Sequence, residues 1–122
     1  MYFNITYYSG ELQKGEMMKN NLVSNAFMTF MEEAPKQAEA WGKLAMDLNQ
    51  ANSLDNKTAT LVYIGIMAAK NILSGIPFHV LSAKEAGATR DEVTSAILMG
   101  LPLAGSKVTQ ALPLALQPFD EN

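Results

Sequence analysis

Cysteine is absent from this chain of 122 residues. Without a thiol, the chain can form no disulfide, no thiolate nucleophile and no thiolate metal ligand. Histidine is almost as scarce, since His79 is the only one. One imidazole without carboxylates at ligand spacing does not provide the three or four ligands that a metal needs. We therefore expect no metal site and no bound cofactor.

Charged side chains are also few. They make up 17% of the residues, whereas about 25% is typical of globular domains. The 9 basic and 12 acidic residues give a net charge of -3 without a basic cluster, so we expect no nucleic-acid binding. Apolar residues reach 48%. This excess indicates that partner surfaces are buried as well as a core, and it favours a homo-oligomer.

Long hydrophobic runs are missing too. The longest, from Leu61 to Ala69, covers nine residues, whereas a bilayer-spanning helix needs about 20. The first residues, Met1 to Thr6, lack the basic start and the apolar stretch of a secretory signal. We therefore expect a cytoplasmic protein that does not bind a membrane.

The length is that of one domain. Residues 1–16 combine aromatic residues with Gly10 and Gly15 and predict an irregular N-terminal arm. Residues 17–122 predict a single helical domain. The predicted fold class is all-α, a compact bundle of about five to six helices.

Helical spacing of apolar residues is clearest in the first half of the chain. Between Met17 and Glu33 they recur at steps of three and four. Pro35 suits the first turn of a second helix, where a missing N–H costs little. The apolar stripe of that second helix consists of Ala38, Trp41, Leu44, Ala45 and Leu48.

A third helix is predicted to begin near Asp55, whose carboxylate can accept hydrogen bonds from the first amide groups of a helix. Its body, from Leu61 to Ala69, is apolar on every side, so a buried strand is an alternative. The cap and the Ala-rich continuation favour a central helix. A fourth helix is predicted from about Pro77 to Gly87.

The remaining helices are predicted from start signals and prolines. Thr89 and Glu92 form the pattern of a capping box. The apolar face after it continues until Pro102, where the backbone must turn. A last stripe between Val108 and Leu116 is interrupted by Pro113, where we expect a bend or a break.

Three of these segments together carry a resemblance. They are Leu54-Asp55-x-Lys57-Thr58, the single His79 after an apolar helix, and Gly87-Ala88-Thr89-x-x-Glu92-Val93. In this order they resemble the carboxymuconolactone decarboxylase and alkylhydroperoxidase D superfamily. The resemblance implies an alkylhydroperoxidase D-like helical fold and assembly as a trimer or as a hexamer built from dimers.

The redox branch of that superfamily carries a glutamate and a Cys-x-x-Cys pair ahead of its histidine. With His79 as the anchor, the two cysteine positions fall on Ile72 and Gly75 and the glutamate position falls on Thr60. A thiol peroxidase needs one thiolate to attack the peroxide and a second thiol to resolve the product. Alkylhydroperoxidase-type antioxidant activity is therefore disfavoured.

The decarboxylase branch has no such pair and acts on multiply anionic lactones. The resemblance therefore implies a lyase that carries out decarboxylation or proton transfer on a small carboxylated organic acid. His79 is the candidate proton-transfer group. Lys70 and Arg90 are candidates for binding the carboxylate, with Lys84 also nearby in sequence. No motif assigns any of these cations to a pocket.

Simpler interpretations compete with these roles. Located among apolar residues, His79 is also consistent with a hydrogen-bonded core histidine, in which case the chain is a non-catalytic oligomeric binding or assembly module. Thr60 is expected to pack or to bond to the carbonyl one turn earlier. Trp41 and Tyr63 can line a pocket or belong to the core, and we favour the core. Lys57 is interpreted as a solvated side chain rather than an ion-pair partner.

Overall fold

The computed structural model describes residues 23–121. Within this range every regular element is a helix and there is no strand, so the predicted all-α fold is confirmed. The described residues divide into two compact units, one ending at Ser53 and one beginning at Leu54. The predicted arm, residues 1–16, and the first part of the helix predicted from Met17 lie outside the described residues.

In the described part of the unit that ends at Ser53 there are two helices, α1 (Asn25–Glu33) and α2 (Pro35–Ala51). The Ser24 hydroxyl caps α1 by accepting a hydrogen bond from the N–H of Phe27 at 3.2 Å. Pro35 lies in the first turn of α2, as predicted. Only Ala34 separates the two helices.

The apolar stripe of α2 differs from the prediction. Ala38 is fully buried, but Trp41, Leu44 and Leu48 are exposed by 41%, 55% and 61%. Trp41 meets the ring of Phe27 edge-on at a centroid distance of 5.9 Å. Placing Trp41 in the core was therefore wrong, because its side chain is not enclosed.

The unit that begins at Leu54 has a central helix, α3, which contacts α4, α5 and a 3-10 helix, while the last helix, α7, packs on α4 and α5. Fully buried side chains of this unit include Ile64, Val80 and Ile97. The helices are α3 (Asn56–Ala69), α4 (Ile76–Glu85), α5 (Arg90–Leu98), α6 (Leu101–Ala104), the 3-10 helix (Ser106–Ala111) and α7 (Leu112–Asp120).

The start of α3 is set by Asp55. One carboxylate oxygen accepts a hydrogen bond from the N–H of Thr58 at 2.9 Å, and the other accepts one from its hydroxyl at 2.9 Å. These bonds satisfy backbone donors that have no partner inside the helix. They lower the pKa of Asp55. The helical interpretation of the apolar run is thus confirmed.

A glycine allows α3 and α5 to approach closely. A Cβ added to Gly65 would lie 2.9 Å from the carbonyl oxygen of Ala96, which belongs to the α5 backbone. A backbone atom cannot move away as a side chain can. Any larger residue at position 65 would therefore push the two helices apart.

Prolines divide the C-terminal part of the chain. Pro102 and Pro113 each occupy the first turn of a helix, α6 and α7 respectively. At Pro113 the structure changes from the 3-10 helix to α7, which confirms the predicted break. Pro118 lies inside α7, where no break was predicted and none occurs. No helix within residues 23–121 is long and apolar enough to cross a bilayer.

Candidate functional site

The candidate site begins with His79, in the first turn of α4. Gly75 precedes this helix and Pro77 lies in its first turn. The backbone N–H of His79 donates to the carbonyl oxygen of Gly75 at 3.2 Å, so positions 75 and 79 are one turn apart on the same face. The side chain of His79 is half-buried and its Nδ1 atom is enclosed by protein.

Two aromatic rings contact the imidazole. The Tyr63 ring, which comes from α3, lies 4.7 Å from it between centroids, with the ring planes inclined by 44°. The Phe78 ring lies at 5.2 Å and meets it edge-on, at 77°. Both distances are within the range of favourable ring contacts. His79 is therefore held between an aromatic neighbour on its own helix and another on α3.

Gly75 and Met67 define a further side of the site. A Cβ added to Gly75 would lie 2.8 Å from the Cε methyl of Met67 and 3.7 Å from Cδ2 of His79. The methionine methyl thus occupies the space that a side chain at position 75 would need. At this position, which corresponds to the second family cysteine, an apolar methyl from α3 fills the space next to Gly75.

The two other positions that correspond to redox residues are also occupied by unreactive groups. Ile72 is 47% exposed. Thr60 is buried, and its hydroxyl donates to the carbonyl oxygen of Asn56 at 2.7 Å. This is the bond one turn back that the sequence predicted, so the prediction is confirmed. A hydroxyl engaged in this way cannot take the part of a carboxylate base.

The three cations considered for carboxylate binding are all exposed. Arg90 donates from Nε and Nη2 to the carboxylate of Asp120 at 3.0 and 3.3 Å, and this pair raises the pKa of the guanidinium. Lys84 donates to the carbonyl oxygen of Pro118 at 2.9 Å. Lys70 is the C-cap residue of α3. Arg90 and Lys84 therefore bind the last helix, α7.

The prediction for Lys57 was wrong. It was interpreted as a solvated side chain, but its Nζ lies 3.0 Å from a carboxylate oxygen of Glu92. The other carboxylate oxygen of Glu92 accepts the N–H of Thr89 at 2.9 Å, while the Thr89 hydroxyl accepts the N–H of Glu92 at 3.1 Å. The predicted capping box is confirmed. The N–H of Thr89 first, and Lys57 second, lower the pKa of Glu92.

The model of the carboxymuconolactone decarboxylase family matches residues 35–117. The chain belongs to the carboxymuconolactone decarboxylase family. Comparisons with curated proteins and with solved structures give no significant match.

The site contains no thiol. Among residues 23–121, no group of three or more histidine, cysteine, aspartate or glutamate side chains could hold a metal ion. What α3 and α4 do bring together is an imidazole and a phenol, bordered by a thioether and a phenyl ring. This arrangement can exchange a proton and donate hydrogen bonds.

The contacts that Tyr63 and Met67 make at the site were not predicted. Tyr63 was weighed as a core or pocket residue. Their spacing of four residues places both on one face of α3, which was the available signal. The sequence does not contain the information that this face of α3 meets the start of α4.

Proposed function

We propose that this family member transfers a proton on a small carboxylated organic acid, as in a decarboxylation, with His79 as the proton-transfer group. The observation that carries the proposal is the position of the single imidazole, half-buried at the start of α4 and 4.7 Å from the Tyr63 ring. The chain has no thiol, so we do not propose peroxide reduction.

The chemistry suits an imidazole. Loss of carbon dioxide leaves an electron pair on carbon, which a general acid must protonate. Imidazole changes its charge close to neutral pH, so it can deliver this proton and recover one from water. The apolar groups beside it, Met67 and Phe78, strengthen electrostatic interactions by excluding water.

The substrate carboxylate requires a cation. Lys70 is a candidate because it lies at the C-terminal end of α3 and its side chain is exposed. Arg90 is the other candidate, but it would have to exchange Asp120 for the substrate. A Lys70→Gln variant and an Arg90→Gln variant distinguish them, because loss of the carboxylate partner raises KM for the carboxylated substrate.

The test of the enzymatic proposal is turnover of a carboxylated lactone of the family type, followed by release of carbon dioxide. We expect His79→Ala to lower kcat by about 100-fold or more, the range that general acid–base groups contribute. Lys107→Ala, at an exposed position in the 3-10 helix, is the control and keeps wild-type kcat. Equal turnover by wild type and His79→Ala would refute the proposal.

A second candidate function is that of a non-catalytic module that assembles with copies of itself. Exposed apolar side chains favour it. Val62 and Ile66 are one turn apart on α3 and are 48% and 55% exposed, and α2 carries the exposed Trp41, Leu44 and Leu48. Apolar residues repeated along a helix surface are typical of buried interfaces.

Sedimentation at micromolar concentration tests the assembly. We expect a trimer or hexamer for wild type and dissociation for Ile66→Lys, which places a charge in the apolar row. Lys107→Ala again serves as a control and keeps the wild-type mass. A wild-type monomer would contradict assembly, and a stable oligomer without lactone turnover would favour this second function over the enzymatic one.

A further inference from the structure

We propose that Tyr63 is a second functional group of the His79 site, whose phenol donates a hydrogen bond to a substrate oxygen while the imidazole exchanges the proton at the neighbouring carbon. This inference rests on the proposed enzymatic function and adds to it a residue and a substrate class. The substrate would be an acid in which a carbonyl oxygen gains negative charge when the carbon loses carbon dioxide or a proton.

The contact between the two rings supports this division of roles. Tyr63 and His79 come from different helices, yet their centroids are 4.7 Å apart and their planes are inclined by 44°. Because the two rings are in contact, the phenol oxygen of Tyr63 and the imidazole nitrogens of His79 are within the length of one small ligand.

The protonation state of Tyr63 suits a donor. Partial burial raises the pKa of its phenol above the usual value of 10.0. At neutral pH the phenol is therefore uncharged and carries its proton, so it acts as a hydrogen-bond donor and not as a base. A donor aimed at an oxygen that gains negative charge stabilises the transition state more than the ground state.

The side chains one turn before and one turn after Tyr63 do not offer such a proton. Thr60, one turn before Tyr63, donates its hydroxyl proton to the carbonyl of Asn56. Met67, one turn after it, has a thioether whose methyl lies against Gly75. Tyr63 therefore combines a hydroxyl proton that it can donate to a ligand with a ring contact to His79.

In the proposed step, the carbon–carbon bond to the carboxylate breaks and carbon dioxide leaves. The electron pair of that bond moves into the adjacent carbonyl group and forms an enolate. The enolate oxygen accepts a hydrogen bond from Tyr63. The protonated imidazole of His79 then gives its proton to the carbon and recovers one from water.

Tyr63→Phe is the decisive variant, because it keeps the ring and removes only the hydroxyl. We expect kcat for the carboxylated lactone to fall by about 100-fold, as when one donor to a developing oxyanion is removed. KM should change by less than about threefold, because the hydrogen bond strengthens only in the transition state. Lys107→Ala, at an exposed position in the 3-10 helix and outside the site, is the control and should keep kcat within threefold.

The single histidine offers a check on structure, since its ring protons give one set of NMR signals. In Tyr63→Phe these signals should remain those of a folded protein. The part of the pH–rate profile that depends on the imidazole should also persist. An unchanged kcat in Tyr63→Phe, with His79→Ala inactive, would overturn this inference and leave the proposed function standing. An inactive wild type, or an active His79→Ala protein, would overturn both.

Discussion

The two ends of α4 are stabilised in different ways. After its C-terminus, the turn that leads into α5 is polar: Thr89 and Glu92 exchange hydrogen bonds and Glu92 also binds Lys57. At its N-terminus, His79 contacts aromatic rings and lies close to the Met67 methyl that packs on Gly75. Hydrogen bonds between near neighbours define the turn, whereas contacts between helices define the site. Local rules therefore govern one end and packing governs the other.

The largest effect is expected at the glycine of the polar turn. Gly87 has a φ of 97°, and a Cβ there would meet no atom within 4 Å. The cost of Gly87→Ala is therefore purely conformational, and we expect the free energy of unfolding to fall by about 1 to 2 kcal/mol. Chemical denaturation measures it.

Gly75→Ala is the matched control for that variant. Its φ of -92° suits any residue, but the new Cβ would meet the Met67 methyl. The added methyl group lowers the conformational entropy of the unfolded chain, which stabilises the folded protein. This gain offsets the cost of displacing the flexible Met67 side chain, so the free energy of unfolding should stay within about 0.5 kcal/mol of wild type. The NMR signals of Met67 and His79 should move. A larger loss in Gly75→Ala than in Gly87→Ala would reverse the contrast between the two ends.

Removing the cap of α5 is expected to have the next largest effect. Thr89→Ala deletes the hydroxyl that accepts the N–H of Glu92, and we expect a loss of about 1 kcal/mol in the free energy of unfolding. Thr89→Ser keeps the acceptor and should lose far less. Equal losses in both variants would assign the effect to the methyl group instead of the hydrogen bond.

Acid should weaken the polar turn. The pKa of Glu92 in the folded protein is held below its ordinary value of 4.5. Its contribution to stability is therefore complete above about pH 4.5 and is lost as the pH falls through the folded pKa. Glu92→Gln should flatten the dependence of unfolding free energy on pH in this acid range. Lys57→Gln should flatten it only in part, because the N–H of Thr89 is the larger cause.

Alkali should weaken the aromatic site, with the smallest of these effects because Tyr63 is only partly buried. Its pKa is raised above 10.0 by burial. The contribution of the neutral phenol to stability is thus present below about pH 10 and is lost as the pH rises through the folded pKa. Tyr63→Phe should flatten the decline in stability above pH 10, while Glu92→Gln should leave it unchanged. Denaturation at graded pH checks both variants, and an exchange of their effects would refute this assignment.

Several features of the fold were predictable because they depend on residues close in sequence. Asp55 caps α3, Thr89 and Glu92 cap α5, and Pro113 lies in the first turn of α7. Each uses a hydrogen bond or a backbone restriction within one helical turn. The family could be predicted from the same short segments, because its pattern consists largely of these caps around His79.

The features that were not predictable depend on which helix faces meet. Lys57 was expected in solvent, yet it binds Glu92, 35 residues away. Trp41 was expected in the core, yet it is exposed, as are Leu44 and Leu48 on the same face of α2. Periodicity identifies an apolar face but does not say what covers it.

The amino-acid sequence by itself determined the helices, their caps and breaks, and the lack of any thiol, because these follow from side-chain chemistry and local backbone restrictions. Only the tertiary structure decided that Tyr63 meets His79 and that the Met67 methyl lies where a side chain at position 75 would be. Those contacts arise from the close approach of α3 and α4, which is set by packing of the whole unit.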